Sequence, residues 1–444
     1  MATAWFVVRF LAVTVGFAVL HGYLWWRLCR DTTKPGSAWR PIGAIALGVL
    51  AVFGLLARFL TPSDAPIDVQ AAVGYPGLIW FGVFLYLFGL LVVTEPLRWF
   101  LLRRKGVPSE PPPWALVRDW LRQWRRRRKR TREPELAEAT DPNSAAAESA
   151  PATGASAAPG STSHVTVHTR RRMMSRAIGL GASALAVATV GHGLYEGYRT
   201  PPLKPVTVRL ERLSRQFDGY RIAVVGDTHF SAIRGREYCE RVVEQINRAQ
   251  ADLIAFVGDL ASNEVDQVRD AVDPLARLEA RDGTFFVAGN AEHYVGADEW
   301  YDRVAELGMH GLPNTRVELP GFDLAGVNDL IVVQRGFESE TGPDFEAALG
   351  DRDPDRPVVF MAHQPNAVDY IDGYGVDLQL SGHTHGGQMW PVHYASLIRS
   401  GQLTGLERHG DTQVYVTNGA GTNGPPIRVG ADADITVMTL RAGN

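Results

Sequence analysis

The sequence predicts a two-part chain: four membrane-crossing helices followed by an α/β domain with metal-capable residues gathered at its strand ends. Three observations carry this. Four apolar stretches before residue 197 each approach the ~20 residues that cross a ~30 Å hydrocarbon layer as a helix. From about Pro201 to Asn444, short strand-like apolar runs alternate with segments of helical period, the pattern of a sheet covered by helices. Five of those runs end in Asp, Asn or His, often just after a glycine that lets the backbone turn sharply.

The apolar stretches are about Ala4–Leu28, Ile42–Leu60, Pro76–Leu102 and Ala177–Leu194, with Trp25, Trp26, Trp80 and Trp99 near ends where rings favour the headgroup layer. The first lacks a basic start and a small-residue cleavage site, so it reads as a retained span rather than a signal peptide. Arg9 and Arg58 lie within snorkelling reach of an interface. Arg118–Arg132 is dense in arginine. The following Glu133–Ser163 is rich in Ala, Ser, Thr, Pro and Gly and reads as a disordered linker. The organisation expected is three helices over 1–102, a basic, largely disordered linker over 103–176, a fourth helix over 177–196 and a globular domain over 200–444.

Charge asymmetry orients the spans. The loop Cys29–Pro41 carries Arg30, Lys34 and Arg40, whereas Thr61–Tyr75 has no Lys or Arg, and 103–176 is arginine-rich. The basic sides face the cytoplasm, which places both the N-terminus and the large domain outside a plasma (bacterial inner) membrane. The Arg170-Arg171-Arg172 flank fits either an ordinary positive-inside signal or a twin-arginine export signal. Lys plus Arg is 45 against Asp plus Glu 48, a net charge of −3, which excludes a protein that coats nucleic acid. Two cysteines exclude a disulfide scaffold and a structural zinc finger.

In the domain, strands are expected at Tyr220–Val225, Leu253–Val257, Thr284–Ala288, Pro357–Ala362, Val376–Leu380 and Gln413–Thr417, and helices at Glu237–Ala249 and Asp266–Leu278. Five strands run into Gly226-Asp227-Thr228-His229, Gly258-Asp259, Gly289-Asn290, His363-Gln364-Pro365 and Gly382-His383-Thr384-His385-Gly386-Gly387-Gln388. Ligands of α/β folds bind at the C-terminal strand edge, so these residues should converge. Gly-Asp and Gly-Asn alone are ordinary turn dipeptides, and a single histidine is usually structural. It is the ordered series that indicates a site. Its donors are nitrogen and oxygen without sulfur, which suits Mn, Fe or Zn rather than Ca. Asp227, His229, Asp259, Asn290, His363, His383 and His385 are too many ligands for one ion and suit two divalent ions sharing a carboxylate.

This order of motifs resembles the calcineurin-like metallophosphoesterases, in particular their membrane-anchored bacterial branch, over about residues 205–442. The resemblance implies two mixed β-sheets flanked by helices with a dinuclear site on one edge. It implies that Asp227, His229 and His385 hold one ion, that Asn290, His363 and His383 hold the other, and that Asp259 bridges them. Such a pair activates water for attack on phosphorus and stabilises charge on the phosphoryl oxygens. The expected substrate is a phosphomonoester, phosphodiester or pyrophosphate, on a small or a lipid-linked envelope molecule. One departure is visible: the family has histidine directly after the asparagine, and here Ala291 stands there. His293 is therefore the candidate catalytic acid, with an ordinary loop histidine as the competing role. The alternative to an enzyme is a membrane-bound metal-binding or sensory protein whose catalysis is weakened at Ala291.

Overall fold

The structure is a computed structural model that describes residues 2–61, 63, 65–104, 122, 161–337 and 339–443. Four helices open it: α1 (Ala2–Trp25, extended by a π turn to Arg30), α2 (Trp39–Leu60), α3 (Ile67–Arg104) and α4 (Ser161–Tyr198). Segments of all four, Leu11–Arg30, Trp39–Leu60, Ile67–Leu101 and Arg170–Tyr198, are long and apolar enough to cross a membrane. Most of the segment read as a linker lies outside the described residues, and from Ser161 onward it is helix.

One end of this bundle is a knot of charge. Arg27 pairs with Asp31 and Glu95 at 2.8 Å each, Arg98 reaches Asp31 at 2.9 Å, and Arg176 donates to the Thr32 carbonyl at 2.9 Å. The other end meets the globular domain. There Asn263 Nδ2 donates to Gln70 Oε1 at 2.9 Å, and the Gln70 amide donates to the Ser63 and Ala65 carbonyls.

The globular domain is built on two six-stranded mixed sheets. The first runs in the order β1 (Leu203–Leu210), β12 (Ile435–Ala442), β2 (Arg221–Val225), β3 (Leu253–Phe256), β4 (Thr284–Phe286) and β5 (His310–Gly311). The second runs β10 (Gly405–His409), β11 (Thr412–Val416), β9 (Leu378–Ser381), β8 (Val358–Met361), β7 (Phe322–Gly326) and β6 (Thr315–Leu319).

Side-chain alternation decides the layering. In β2, Ile222 and Val224 join the core between the sheets with Leu324, Val359, Met361 and Leu380 from the second sheet. Ala223 and Val225 face the other way. They pack under α5 (Arg236–Arg248), α6 (Val265–Val272), α7 (Asn290–Val295) and α8 (Ala297–Glu306), where Val242, Ile246, Val268 and Trp300 close the layer. A smaller cluster, with Phe360 and Ala325 under Leu349 and Ile371, covers the second sheet's outer face. Each fully buried aliphatic side chain contributes about 1.5–3 kcal/mol relative to exposure, enough in number to hold four layers together.

The helix expected over Asp266–Leu278 is divided: α6 stops at Val272 and a 3-10 turn covers Asp273–Arg277. Pro274 supplies the reason, having no N–H to continue the α-helical ladder. Strands β2, β3 and β4 are mutually parallel, as are β8 and β9, so their C-terminal ends open on one edge.

Candidate metal centre

Each strand on that edge delivers its residue in the turn that follows it. Asp227 and His229 come after β2, Asp259 after β3, Asn290 at the start of α7 beyond β4, His363 after β8, and His383 and His385 after β9. The structure brings all seven together.

Two groups form. In the first, one donor atom each from Asp227, His229, Asp259 and His385 lies within 4.8 Å of all the others, and all four residues are buried. His229 Nε2 is 3.1 Å from His385 Nε2, which is 3.5 Å from Asp227 Oδ1. In the second group, Asn290 Oδ1 is 2.7 Å from His383 Nδ1 and 3.2 Å from His363 Nε2, and those two nitrogens are 3.3 Å apart. Asp259 stands between them. Its Oδ2 is 3.4 Å from His229 Nε2 and its Oδ1 is 3.2 Å from His363 Nε2.

The turns are tight enough to strain the backbone. Asp227, His229, Asp259, His383 and His385 all have positive φ, between 47° and 71°. For a residue with a Cβ the left-handed region costs roughly 1–2 kcal/mol each, and it persists only where the surroundings impose it. Glycines make the close approaches possible. A Cβ on Gly382 would stand 2.5 Å from Asp227 Oδ2, and one on Gly258, whose φ is +88°, would stand 2.6 Å from His363 Nδ1.

The outward-turned nitrogens fix which atoms face inward. His363 Nδ1–H donates to the Val257 carbonyl at 2.8 Å, and His229 Nδ1 lies 2.8 Å from the Ser262 hydroxyl. Both Nε2 atoms are thereby left to the cluster. Burial pushes His229 down to about 4 and His383 to about 3, so both rings are neutral at neutral pH, the form that coordinates. Burial works against charge on Asp259, but His363 and His229 outweigh it and hold the carboxyl well below the usual range. Carboxylate, amide and imidazole donors thus converge in a dry site that favours positive charge among them: burial works against a charged His363, but Asp259, Asp329 and Asp227 outweigh it and hold its pKa well above the usual histidine range. The donor set fits two divalent ions: Asp227, His229 and His385 would hold one, Asn290, His363 and His383 the other, and Asp259 would serve both.

His293 lies elsewhere in this network. Its side chain is 1% exposed, its Nδ1 is 2.9 Å from the Glu340 carboxylate, and its Nε2 accepts the Asp329 N–H at 3.3 Å. Ala291, in the position after the asparagine, donates its backbone N–H to Asp259 Oδ1 at 2.7 Å. His409, a histidine near the C-terminal strands, is exposed on β10.

Three supporting residues escape a reading of the sequence. Glu292 is fully buried and accepts the N–H groups of Gly289, Ala261 and Asp259 at 2.7–3.0 Å, tying two of the turns together. An acid three residues after a turn glycine, at the third helical position, is a capping signal that could have revealed it. Arg428 is 1% exposed and donates to five carbonyls, those of Gly421, His385, Ala431, Asn418 and Gly419. Asp329 is buried and accepts from Gln364, the neighbour of His363, at 2.6 Å.

Comparison with known proteins agrees with this geometry. A family model described as calcineurin-like phosphoesterase matches residues 220–387. The chain is 31% identical over 280 residues to an uncharacterized metallophosphoesterase of Helicobacter pylori, covering 63% of this chain and 74% of that one. It is 30% identical over 284 residues to the uncharacterized metallophosphoesterase YkuE of Bacillus subtilis, covering 62% of this chain and 98% of the relative. A transmembrane protein with metallophosphoesterase domain of Danio rerio is 30% identical over 261 residues, 56% of this chain and 60% of its own length.

Proposed function

The chain belongs to the calcineurin-like metallophosphoesterase family, and from that premise we propose that it hydrolyses a phosphoester at the outer face of a bacterial-type inner membrane, with the seven clustered side chains as its metal ligands. The observation that carries this is the placement of Asp259, one carboxylate oxygen toward each donor group. Bound there, Mn, Fe or Zn ions would supply Lewis acidity and lower the pKa of a water for in-line attack on phosphorus. The chain's own residues do the rest. Ser262 and the Val257 carbonyl orient the rings of His229 and His363. Glu292 and Arg428 hold the turns, and the buried walls exclude bulk water. Water adds to phosphorus and gives up a proton, the ester P–O bond breaks, and the leaving oxygen takes up a proton, so that one water is consumed and an alcohol is released.

No histidine follows Asn290 to supply that proton, and both nitrogens of His293 are already engaged. We assign His293 a positioning role, joining α7 to the Asp329 loop. The substrate it suits is one with a good leaving group. The same observation favours the second reading, a metal-binding sensor with residual activity. Purified full-length protein with Mn²⁺ on bis-p-nitrophenyl phosphate separates the two. The enzyme reading expects metal-dependent turnover that Asp259→Asn abolishes, and absence of turnover in the wild type would overturn it.

The proposed topology is multi-pass with the catalytic domain outside. It is supported by the contact of the domain with the 61–75 loop, which lacks Lys and Arg, and by the charge knot at the opposite end. A lipid-linked substrate is supported by the placement of the segment after His385. The Trp390 carbonyl accepts from Tyr86 at 2.8 Å, and Tyr86 lies ~14 Å along α3 from Glu95 of the charge knot. In a ~30 Å hydrocarbon layer that depth lies near the midplane, within reach of lipid chains. Trp390, Tyr394 and Ile398 there are 53%, 58% and 87% exposed, apolar surface that water would disfavour and lipid accepts.

A further inference from the structure

A cavity of about 380 Å³ lies between the outer ends of α2 and α3 and the turn that follows His229. One wall is apolar and belongs partly to the membrane helices, with Leu78 and Ile233. The rest of the lining includes the polar side chains of Ser262 and Thr422. Ser262 is the residue whose hydroxyl meets His229 Nδ1, so the cavity adjoins the metal cluster through one side chain. Two cations face it, Arg58 and Arg234.

Arg234 is the informative one. It is 2% exposed, its Nε and Nη2 both go to the Thr422 hydroxyl, and its Nη1 is buried without any hydrogen-bond partner. Its guanidinium lies over the rings of Tyr198 and Tyr238 at 5.2 and 4.8 Å and pairs with no carboxylate among the described residues. A buried cation without a counter-charge is costly, and the cost falls when an anion occupies the space it faces. Arg428 shows that the requirement is particular to this place. It is equally buried, but all five of its donors are taken by carbonyls. Arg58 sits near the outer end of its span and likewise has no ion pair among the described residues. Leu78 is ~25 Å along α3 from Glu95, which puts the cavity close to the outer boundary of a ~30 Å hydrocarbon layer when the charge knot marks the inner face.

We propose that this cavity binds the phosphate head of a membrane lipid, with Arg234 and Arg58 on the anionic oxygens and the apolar chain leaving between the helices toward the outer leaflet. The proposal rests on the phosphoesterase reading and names the substrate class for it. A planar guanidinium suits this ligand, because its parallel N–H groups match two phosphate oxygens.

The test uses the full-length protein in phosphatidylcholine nanodiscs with EDTA present, so that binding is read without turnover. Retention of dioleoyl phosphatidic acid is measured by native mass spectrometry, with inorganic phosphate as the soluble competitor. The wild type should retain the lipid against millimolar phosphate. Arg58→Gln and Arg234→Gln should each weaken retention about ten-fold or more, and Arg234→Lys should restore part of it. Should Arg234→Gln fail to fold, Arg58→Gln at the exposed helix surface still decides. Equal retention by wild type and Arg58→Gln overturns the proposal, and displacement of the lipid by inorganic phosphate assigns the cavity to a soluble anion and overturns its lipid part. Hydrolysis of bis-p-nitrophenyl phosphate by the same wild-type preparation with Mn²⁺ reports separately on the phosphoesterase reading.

Discussion

Arg428→Lys tests how the site is held open. The guanidinium has five N–H donors, and the structure uses every one on a backbone carbonyl: Nε on Gly421, Nη1 on His385 and Ala431, Nη2 on Asn418 and Gly419. A lysine keeps the charge but offers three donors. At least two carbonyls in this dry interior therefore lose their partner. At roughly 1.5 kcal/mol or more for each charge-assisted bond, the loss is about 3 kcal/mol. For a domain of this size that corresponds to a fall in Tm of roughly 6–12 °C. Burial draws the Arg428 pKa down to about 10, which still leaves the group charged at neutral pH, so charge is not the variable. Thermal unfolding followed by near-ultraviolet circular dichroism on the purified chain, without added metal, measures the effect. A Tm within about 2 °C of wild type would refute the donor-count reasoning, because it would mean that carbonyls and cation are interchangeably solvated.

Ala291→His should raise turnover of an alkyl phosphodiester, a poor leaving group, by on the order of 10²-fold while changing an aryl phosphodiester little, since general acid catalysis matters most where the departing oxygen is basic. Steady-state kinetics on the two substrates check this, and equal effects would sink it. His293→Ala should leave the pH–rate profile unchanged and lower stability by about 1–3 kcal/mol, because its ring serves Asp329 N–H and Glu340 rather than the substrate. A lost acidic or basic limb in that profile would return His293 to the chemistry. Alkaline phosphatase fused after Asn444 should be active and a cytosol-dependent reporter silent, and the reverse result would invert the topology.

Much of this protein was legible in its residues because the relevant signals are local. Twenty apolar residues in a row announce a span whatever surrounds them, and a strand that must turn at Gly226, Gly258 or Gly382 places the next side chain on the sheet edge. The continuous apolar run Ile222–Val225 likewise marked a strand buried on both faces, and parallel strands could open on only one edge.

Distance in sequence marks where this reading stopped. Arg234 meets Thr422 across 188 positions, Asn263 meets Gln70 across 193, and His385 receives Arg428 from 43 residues away. No periodicity encodes such pairs, since they exist only once two sheets and a helical bundle have packed. The tertiary structure alone therefore decided that Glu292 clamps two turns, that both nitrogens of His293 are engaged, and that a buried guanidinium faces an anion-sized space beside the cluster. The physical reason is that backbone turns are set by a residue and its neighbours, whereas the environment of a buried charge is set by whatever the rest of the chain brings against it.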